Sequence, residues 1–85
     1  MEVEVFYTKE FKKDVKKIKN KATQERIKKL ILKIINNPRI GKPLSYELRG
    51  LRSIRLHPFR IIYEIKKNKI ILLKFEHRKR IYKTF

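Results

Sequence analysis

Residues 59–76 have the sequence FRIIYEIKKNKIILLKFE. Runs rich in isoleucine, tyrosine, phenylalanine and leucine occupy positions 59–65 and 69–76, and residues of these types favour strands. The polar segment 66–68 between them is typical of a hairpin loop, because an asparagine such as Asn68 tolerates a positive φ. This stretch therefore predicts an antiparallel hairpin, and the other elements are placed relative to it.

Alternation along the two strands assigns their side chains to opposite faces of the sheet. Arg60 then faces away from the core, and a three-residue loop would set it across from Lys74, because opposed residues of an antiparallel pair share a face. The side chains predicted to face the core are Phe59, Ile61, Tyr63, Ile65, Ile71, Leu73 and Phe75. Those predicted to face away are Arg60, Ile62, Glu64, Lys66, Lys74 and Glu76.

The N-terminal half combines one strand pattern with two helical ones. Residues 2–7 alternate in polarity, which predicts a half-buried strand, and Thr8 after it is a candidate helix N-cap. Apolar residues at helical spacing predict a first helix that runs to about Lys19 and stops at Asn20. A second apolar stripe predicts another helix over 23–36, so the two helices should pair as a hairpin.

Between the helices and the hairpin, Pro38, Gly41 and Pro43 interrupt regular structure, and a short strand is predicted at 52–57. The predicted order is thus a strand, two helices and a three-stranded antiparallel meander. This order fits an α+β fold in which both helices pack on one face of the sheet and leave the other face free to be polar. A chain of 85 residues is expected to form one domain over 1–85 with a small core.

Charge points to a polyanionic partner. The chain has 25 Lys and Arg against 8 Asp and Glu, a formal net charge of +17. A charge this high repels itself, so nucleic acid or an acidic protein is the expected partner. The lysines of the first helix fit an ordinary solvated surface.

Several classes of protein are not favoured. The chain has no cysteine and two histidines, which make a poor metal site, and no metal or small-molecule cofactor is expected. The first residues, MEVEV, lack the pattern of a signal peptide, and no apolar run approaches the ~20 residues that span a bilayer. A cytoplasmic protein without membrane contact is the expectation.

The candidate site lies on the free face of the predicted sheet. Strand parity brings Arg55, Arg60, Lys74 and Arg78 to this face, and Tyr82 follows on the basic C-terminal tail. Cations beside an exposed aromatic ring suit single-stranded RNA. The two histidines are weaker candidates, because each has a structural role open to it at a turn or at the rim of the core.

Five short motifs in this order resemble the RelE/ParE toxin superfamily, and its RelE branch in particular. They are KPL at 42–44, LRG at 48–50, SIRL at 53–56, FRIIYEI at 59–65 and HRKRIY at 77–82. The resemblance implies a microbial-ribonuclease-like sheet and a toxin that cleaves mRNA on the ribosome, in the decoding site. It also implies inhibition by an acidic RelB-like antitoxin.

Roles carry over from the resemblance by position. Arg60 matches the arginine that stabilises the scissile phosphate, Arg78 the proposed general acid, Tyr82 the base-stacking tyrosine and Arg55 a basic residue of the catalytic strand. Ser53 stands where some members have a second lysine, so the general base is not identified. Further RNA contacts are expected from Arg49, Arg52, Lys74, Lys79 and Arg80.

Two other functions remain open at the level of sequence. A ParE-like poison of DNA gyrase would share the fold but would not need Arg60, Arg78 and Tyr82 together. An RNA-binding module without catalysis would need only the cationic face, and its binding would depend strongly on salt.

Overall fold

The computed structural model describes residues 3–77, and this part of the chain folds into a five-stranded sheet and two α-helices. The elements are β1 (Glu4–Tyr7), α1 (Lys9–Lys16), α2 (Lys21–Asn36), β2 (Lys42–Pro43), β3 (Leu51–Leu56), β4 (Phe59–Lys66) and β5 (Lys69–His77), with short 3-10 helices at Pro38–Ile40 and Tyr46–Leu48. The predicted site residues Arg78, Lys79, Arg80 and Tyr82 lie outside the described residues. So does Glu2, with which the first strand was predicted to begin.

The sheet has the strand order β1-β5-β4-β3-β2. Strands β3, β4 and β5 form the predicted antiparallel meander, and β1 pairs with β5 in parallel. The sequence did not predict β2, because Gly41 and Pro43 there indicate a break. Its two residues, Lys42 and Pro43, pair with Ser53 and Arg52 at the edge of the sheet, where a proline is tolerated.

The β4–β5 hairpin differs from its prediction at two points. Lys66 pairs with Lys69, so the loop has two residues, and Lys67 rather than Asn68 has the positive φ, at 56°. Farther along, Tyr63 pairs with Leu72 and Ile62 with Lys74, which leaves Leu73 as an extra residue in β5. This β-bulge shifts the alternation of β5 by one residue.

The bulge changes which β5 side chains fill the core. Ile70, Leu72 and Phe75 are buried, whereas Ile71 and Leu73 are half-buried and lie outside the core cluster. The prediction that Ile71 and Leu73 face the core is therefore wrong. Simple alternation fails at a bulge, and the sequence alone does not indicate one here.

Polar side chains fix the ends of both helices. Thr8 caps α1, as predicted, with its hydroxyl oxygen accepting from the Phe11 N–H at 3.1 Å. Asn20 was predicted to stop the first helix, but its side chain instead caps α2 by accepting from the Thr23 N–H at 2.9 Å. Because Asn20 caps the second helix, α2 begins at Lys21 rather than at Thr23. The first helix ends at Lys16, three residues before the predicted end.

Both helices pack on the same face of the sheet, as predicted. Phe11 of α1 and Ile34 of α2 meet Ile61, Tyr63 and Leu72 of the sheet, and each of these side chains is at most 2% exposed. Contacts of α1 with β5 and of α2 with β3 place one helix over each half of the sheet. Neither α-helix is long and apolar enough to cross a membrane.

A buried hydroxyl ties the 38–41 segment to the middle of the sheet. The hydroxyl of Tyr63 donates to the Pro38 carbonyl at 2.7 Å and accepts from the Gly41 N–H at 2.9 Å. Burial raises the pKa of Tyr63, so the phenol stays neutral and able to donate. A Cβ at Gly41 would lie 2.6 Å from the Tyr63 oxygen, which is closer than real Cβ contacts allow.

We expect Tyr63→Phe and Gly41→Ala each to lower the free energy of unfolding by about 1–3 kcal/mol. The first leaves the Gly41 N–H without its acceptor, and the second forces the tyrosine aside. The hydroxyl makes the closest contact with the added Cβ, at 2.6 Å, although the ring carbon Cε1 also lies 2.9 Å away. Removing the hydroxyl relieves part of the clash, so the double variant should lose less stability than the sum of the two. Urea unfolding of the three variants measures this, and strictly additive losses would contradict the proposed contact.

Candidate functional site

The sheet face turned away from the helices, called here the free face, carries the central predicted cations. Arg55 of β3 lies opposite Arg60 of β4, and Arg60 lies opposite Glu76 of β5. Opposed residues share a face, so these three form one line across the sheet, called the arginine row. The predicted pairing of Arg60 with Lys74 is wrong, because the loop and the bulge place Lys74 beside Ile62.

The arginine row concentrates positive charge. Opposed Cβ atoms of an antiparallel pair lie about 4.5–5.5 Å apart, and like charges at that spacing destabilise the pair. Arg55 is exposed, whereas Arg60 is half-buried and its Nε is shielded from solvent. Glu76 ends the row with one carboxylate, so the three residues together carry a net positive charge. A phosphate, which guanidinium groups bind in a forked geometry, matches this arrangement.

Lys74 is held by two carboxylates beside the row. Its Nζ donates to Glu76 Oε1 at 3.2 Å and lies 3.6 Å from Glu10 Oε2. The hydrogen bond to Glu76 is the main reason why the pKa of Lys74 is raised, and the charge of Glu10 adds to it. Lys74 therefore orients the carboxylate of Glu76. These two carboxylates partly neutralise its positive charge, which weakens any attraction of Lys74 to an RNA phosphate.

Beside the arginine row lies a hollow of about 390 Å³, called here the apolar hollow. It is lined by Thr8, Glu10, Leu48, Leu51, Ile62, Leu73 and Lys74. Ile62 is only 3% exposed although it lies outside the helix-side core cluster, so residues of the free face itself shelter it. The expectation of a polar free face holds for the arginine row and fails for this neighbouring part.

Of the remaining predicted RNA contacts, Arg49 and Arg52 lie within the described residues, and Arg52 is not on the face that carries the arginine row. Arg52 lies opposite Tyr63, on the helix side of the sheet, and donates to the carbonyls of Gly41 (2.7 Å) and Arg39 (3.2 Å). Arg49 is exposed in the turn before β3. Their roles in RNA binding stay predictions, and Arg52 has a structural role in holding the segment before β2.

The histidines occupy structural positions. His57 is exposed in the turn between β3 and β4, and the ring of His77 packs edge-on against Phe59 with centroids 5.7 Å apart. Within residues 3–77, no group of histidine and acidic side chains could hold a metal ion.

Sequence reasoning missed three residues that line the apolar hollow, namely Glu10, Leu48 and Leu51. Glu10 meets Lys74 across the sheet edge, and no local pattern indicates this contact. Leu48 and Leu51 line the apolar hollow from the chain segment before and at the start of β3. Tyr46, in the same 3-10 helix as Leu48, is 90% exposed and has φ of 57°, a left-handed conformation that is uncommon for tyrosine.

Comparisons with known proteins agree on one group. The family model described as the ParE toxin of type II toxin-antitoxin system, parDE, matches residues 5–82. The RelB-RelE antitoxin-toxin complex from Methanococcus jannaschii contains a chain that is 28% identical, with a TM-score of 0.76 and with 94% of this chain and 98% of that chain covered. A comparison with curated proteins gave no significant match.

Two further solved structures have the same fold. The RelBE2 toxin-antitoxin complex from Mycobacterium tuberculosis contains a chain that is 26% identical, with a TM-score of 0.66 and with 92% of this chain and 93% of that chain covered. The YoeB dimer from Staphylococcus aureus is 22% identical, with a TM-score of 0.76 and coverages of 92% and 99%. The α+β architecture derived above is thus the fold of these toxins.

Glu76→Gln should strengthen binding of single-stranded RNA by about two- to fivefold at low salt, because it removes the one carboxylate of the arginine row. Glutamine keeps an oxygen that accepts from Lys74. Glu25→Gln on α2 makes the same change in net charge on an exposed helix and serves as the control. Fluorescence anisotropy titrations at two salt concentrations measure the effect, and an equal gain in both variants would show that overall charge alone is responsible.

Proposed function

The chain belongs to the ParE toxin family of type II toxin-antitoxin systems, and on that premise we propose that it is a ribosome-dependent endoribonuclease that cleaves mRNA in the decoding site and so inhibits translation. The observation that carries the proposal is the arginine row, which gathers two guanidinium groups on the sheet face opposite to the one on which the α-helices form the core. The similarity to RelE chains at 26% and 28% identity supports the same assignment.

The proposed reaction is attack of a ribose 2′-OH on the adjacent phosphate, with departure of the 5′-oxygen. Charge builds on the phosphate oxygens during this step, and we assign its stabilisation to Arg60, supported by Arg55 at the opposed position. The half-buried setting of Arg60 strengthens such an interaction, since the local dielectric constant is lower than in water. The proton for the leaving oxygen is assigned to Arg78 and the stacking of a base to Tyr82, as the resemblance to the RelE toxins implies.

Removal of the 2′ proton is the demanding step for this set of residues. The guanidinium group of arginine stays protonated at neutral pH and is a poor general base. We therefore expect slow cleavage of free RNA. A ribosome that holds the mRNA with the 2′-oxygen in line with the leaving group would accelerate cleavage by orienting the reacting atoms.

An acidic antitoxin is the proposed partner. The solved relatives from Methanococcus jannaschii and Mycobacterium tuberculosis are complexes of a toxin with its antitoxin. On this chain, a groove of about 830 Å³ runs between α1 and α2, and its lining includes Val15, Ile18, Ile31, Lys12, Lys16 and Lys28. An apolar floor between lysines is complementary to an acidic amphipathic segment.

Arg60→Ala should lower the rate of mRNA cleavage on ribosomes about a hundredfold or more, because it removes the group that stabilises the phosphate. Primer extension on a defined mRNA, with and without mRNA-programmed ribosomes, measures this. Arg39→Ala is the matched control, since Arg39 is an exposed arginine in the 38–40 helical turn, which contacts the helix side of the sheet.

The expected pattern is cutting that requires both the ribosome and Arg60, with near-normal cutting by the Arg39 variant. Circular dichroism checks that the Arg60 variant remains folded. Intact mRNA in every arm, with RNA binding retained, would instead indicate an RNA-binding module without catalysis. Normal cleavage by folded Arg60→Ala would refute its catalytic role.

A further inference from the structure

We propose that the apolar hollow is a slot for one unstacked nucleobase, the base next to the phosphate held by the arginine row. This inference rests on the proposed function and extends it to the way in which the site holds the RNA strand. The hollow is not part of the hydrophobic core between the helices and the sheet. Ile62 lies outside that core on the free face, yet it is almost fully buried. The hollow is lined mainly by apolar side chains, and such a lining suits the face of a base.

Position in the sheet places the slot at the right distance from the phosphate site. Ile62 follows Arg60 by two residues on β4, so both point to the free face about 7 Å apart along the strand. Ser53 and Lys74 pair with Ile62 in the next cross-strand line, alongside the arginine row. A phosphate and the base of a neighbouring nucleotide are separated by a similar distance, so one short segment of RNA can reach both.

The walls of the slot come from three separate segments. Ile62 forms the floor, Leu73 projects from the bulge of β5, and Leu48 and Leu51 approach from the segment before β3. These side chains carry no charge and no hydrogen-bond donor, so they do not bind a phosphate. They fit the planar and apolar part of a nucleotide better than its backbone.

The rim supplies polar groups for the edge of the base. Glu10 and Lys74 line the hollow 3.6 Å from each other and present an acceptor beside a donor. A carboxylate accepts from base amino or imino groups and an ammonium donates to base oxygens or ring nitrogens, so this pair can distinguish bases. Glu10, with a 68% exposed side chain, is free to turn towards the base, and we assign it as a specificity-determining residue.

Binding of short RNA tests the slot without any cleavage. The probe is a labelled hexaribonucleotide with a 2′-O-methyl group on every ribose, so that no 2′-oxygen can attack its phosphate. It is compared with versions that lack the base at a single position. An abasic nucleotide keeps its phosphate, so the strong electrostatic attraction to this +17 chain is unchanged and only the base contact is lost. We expect base loss at one position to weaken binding about tenfold, and at the others less.

Matched variants identify where the base lies. Leu51→Ala should reduce the effect of base loss at that position to about threefold or less, whereas Leu32→Ala, an exposed leucine of α2, should leave it tenfold. Glu10→Gln should change which base binds best at the same position, and Glu25→Gln should not. The salt dependence of binding should stay the same in all four, because no phosphate contact is removed.

An equal effect of base loss in wild type and Leu51→Ala, or the absence of any preferred position, would overturn the slot. Thermal unfolding of each variant excludes loss of fold as the cause. Since the probe cannot be cut, the outcome is independent of ribonuclease activity. A chain that shows the slot but leaves mRNA intact on ribosomes would disprove the proposed function alone.

Discussion

The extra residue at Leu73 is the constraint on which both faces of the sheet depend. With the two-residue loop and no bulge, Arg60 would lie opposite Phe75, and an aromatic side chain of the core would turn to the free face. The bulge restores Phe75 to the core and brings Glu76 into line with Arg60. One inserted residue thus sets the hydrophobic packing beneath the sheet and the charge arrangement above it.

Thr8 connects that bulge to the first helix. Its hydroxyl donates to the Leu72 carbonyl at 2.9 Å, with the Leu73 carbonyl 3.2 Å away, and its N–H also points to Leu72. The same oxygen caps α1, and Asp14 farther along α1 accepts from the Phe75 N–H at 3.2 Å. Both sides of the bulge are therefore fixed to α1, which explains how an irregular ladder keeps a defined register.

Much of this architecture could be predicted from local patterns. The helices and the meander follow from periodicity, and Thr8 follows from capping chemistry, because those signals act over a few residues. Arg55 and Arg60 were placed on one face for the same reason. The errors at Ile71, Leu73 and the Arg60–Lys74 pairing share a cause, since register depends on loop length and bulges that the composition of β5 does not encode.

The contacts that shape the candidate site are mostly long-range. Glu10 and Lys74 are distant in sequence, and Leu48 and Leu51 come from irregular chain whose path cannot be derived from periodicity. Arg52 shows the opposite case, because its charge suggests RNA but its register position turns it to the helix side. The positive charge of a side chain indicates the kind of partner that it could bind. The strand register determines which of the cationic side chains lie on the same face of the sheet.

The choice of arginine at positions 55 and 60 follows from the same geometry. Two cations at opposed positions of a pair of strands repel, and a half-buried ammonium would also lose much of its hydration. Guanidinium is more weakly hydrated and spreads its charge over a plane, so Arg60 can be half-buried and still present several donors to a phosphate. Lysines at these positions would repel each other in the same way. An ammonium group, however, cannot form the two parallel hydrogen bonds to two phosphate oxygens that a guanidinium group forms. In the proposed function, a phosphate that bridges both guanidinium groups would offset the cost of this repulsion. The repulsion in the free protein is then expected if positions 55 and 60 serve binding rather than stability.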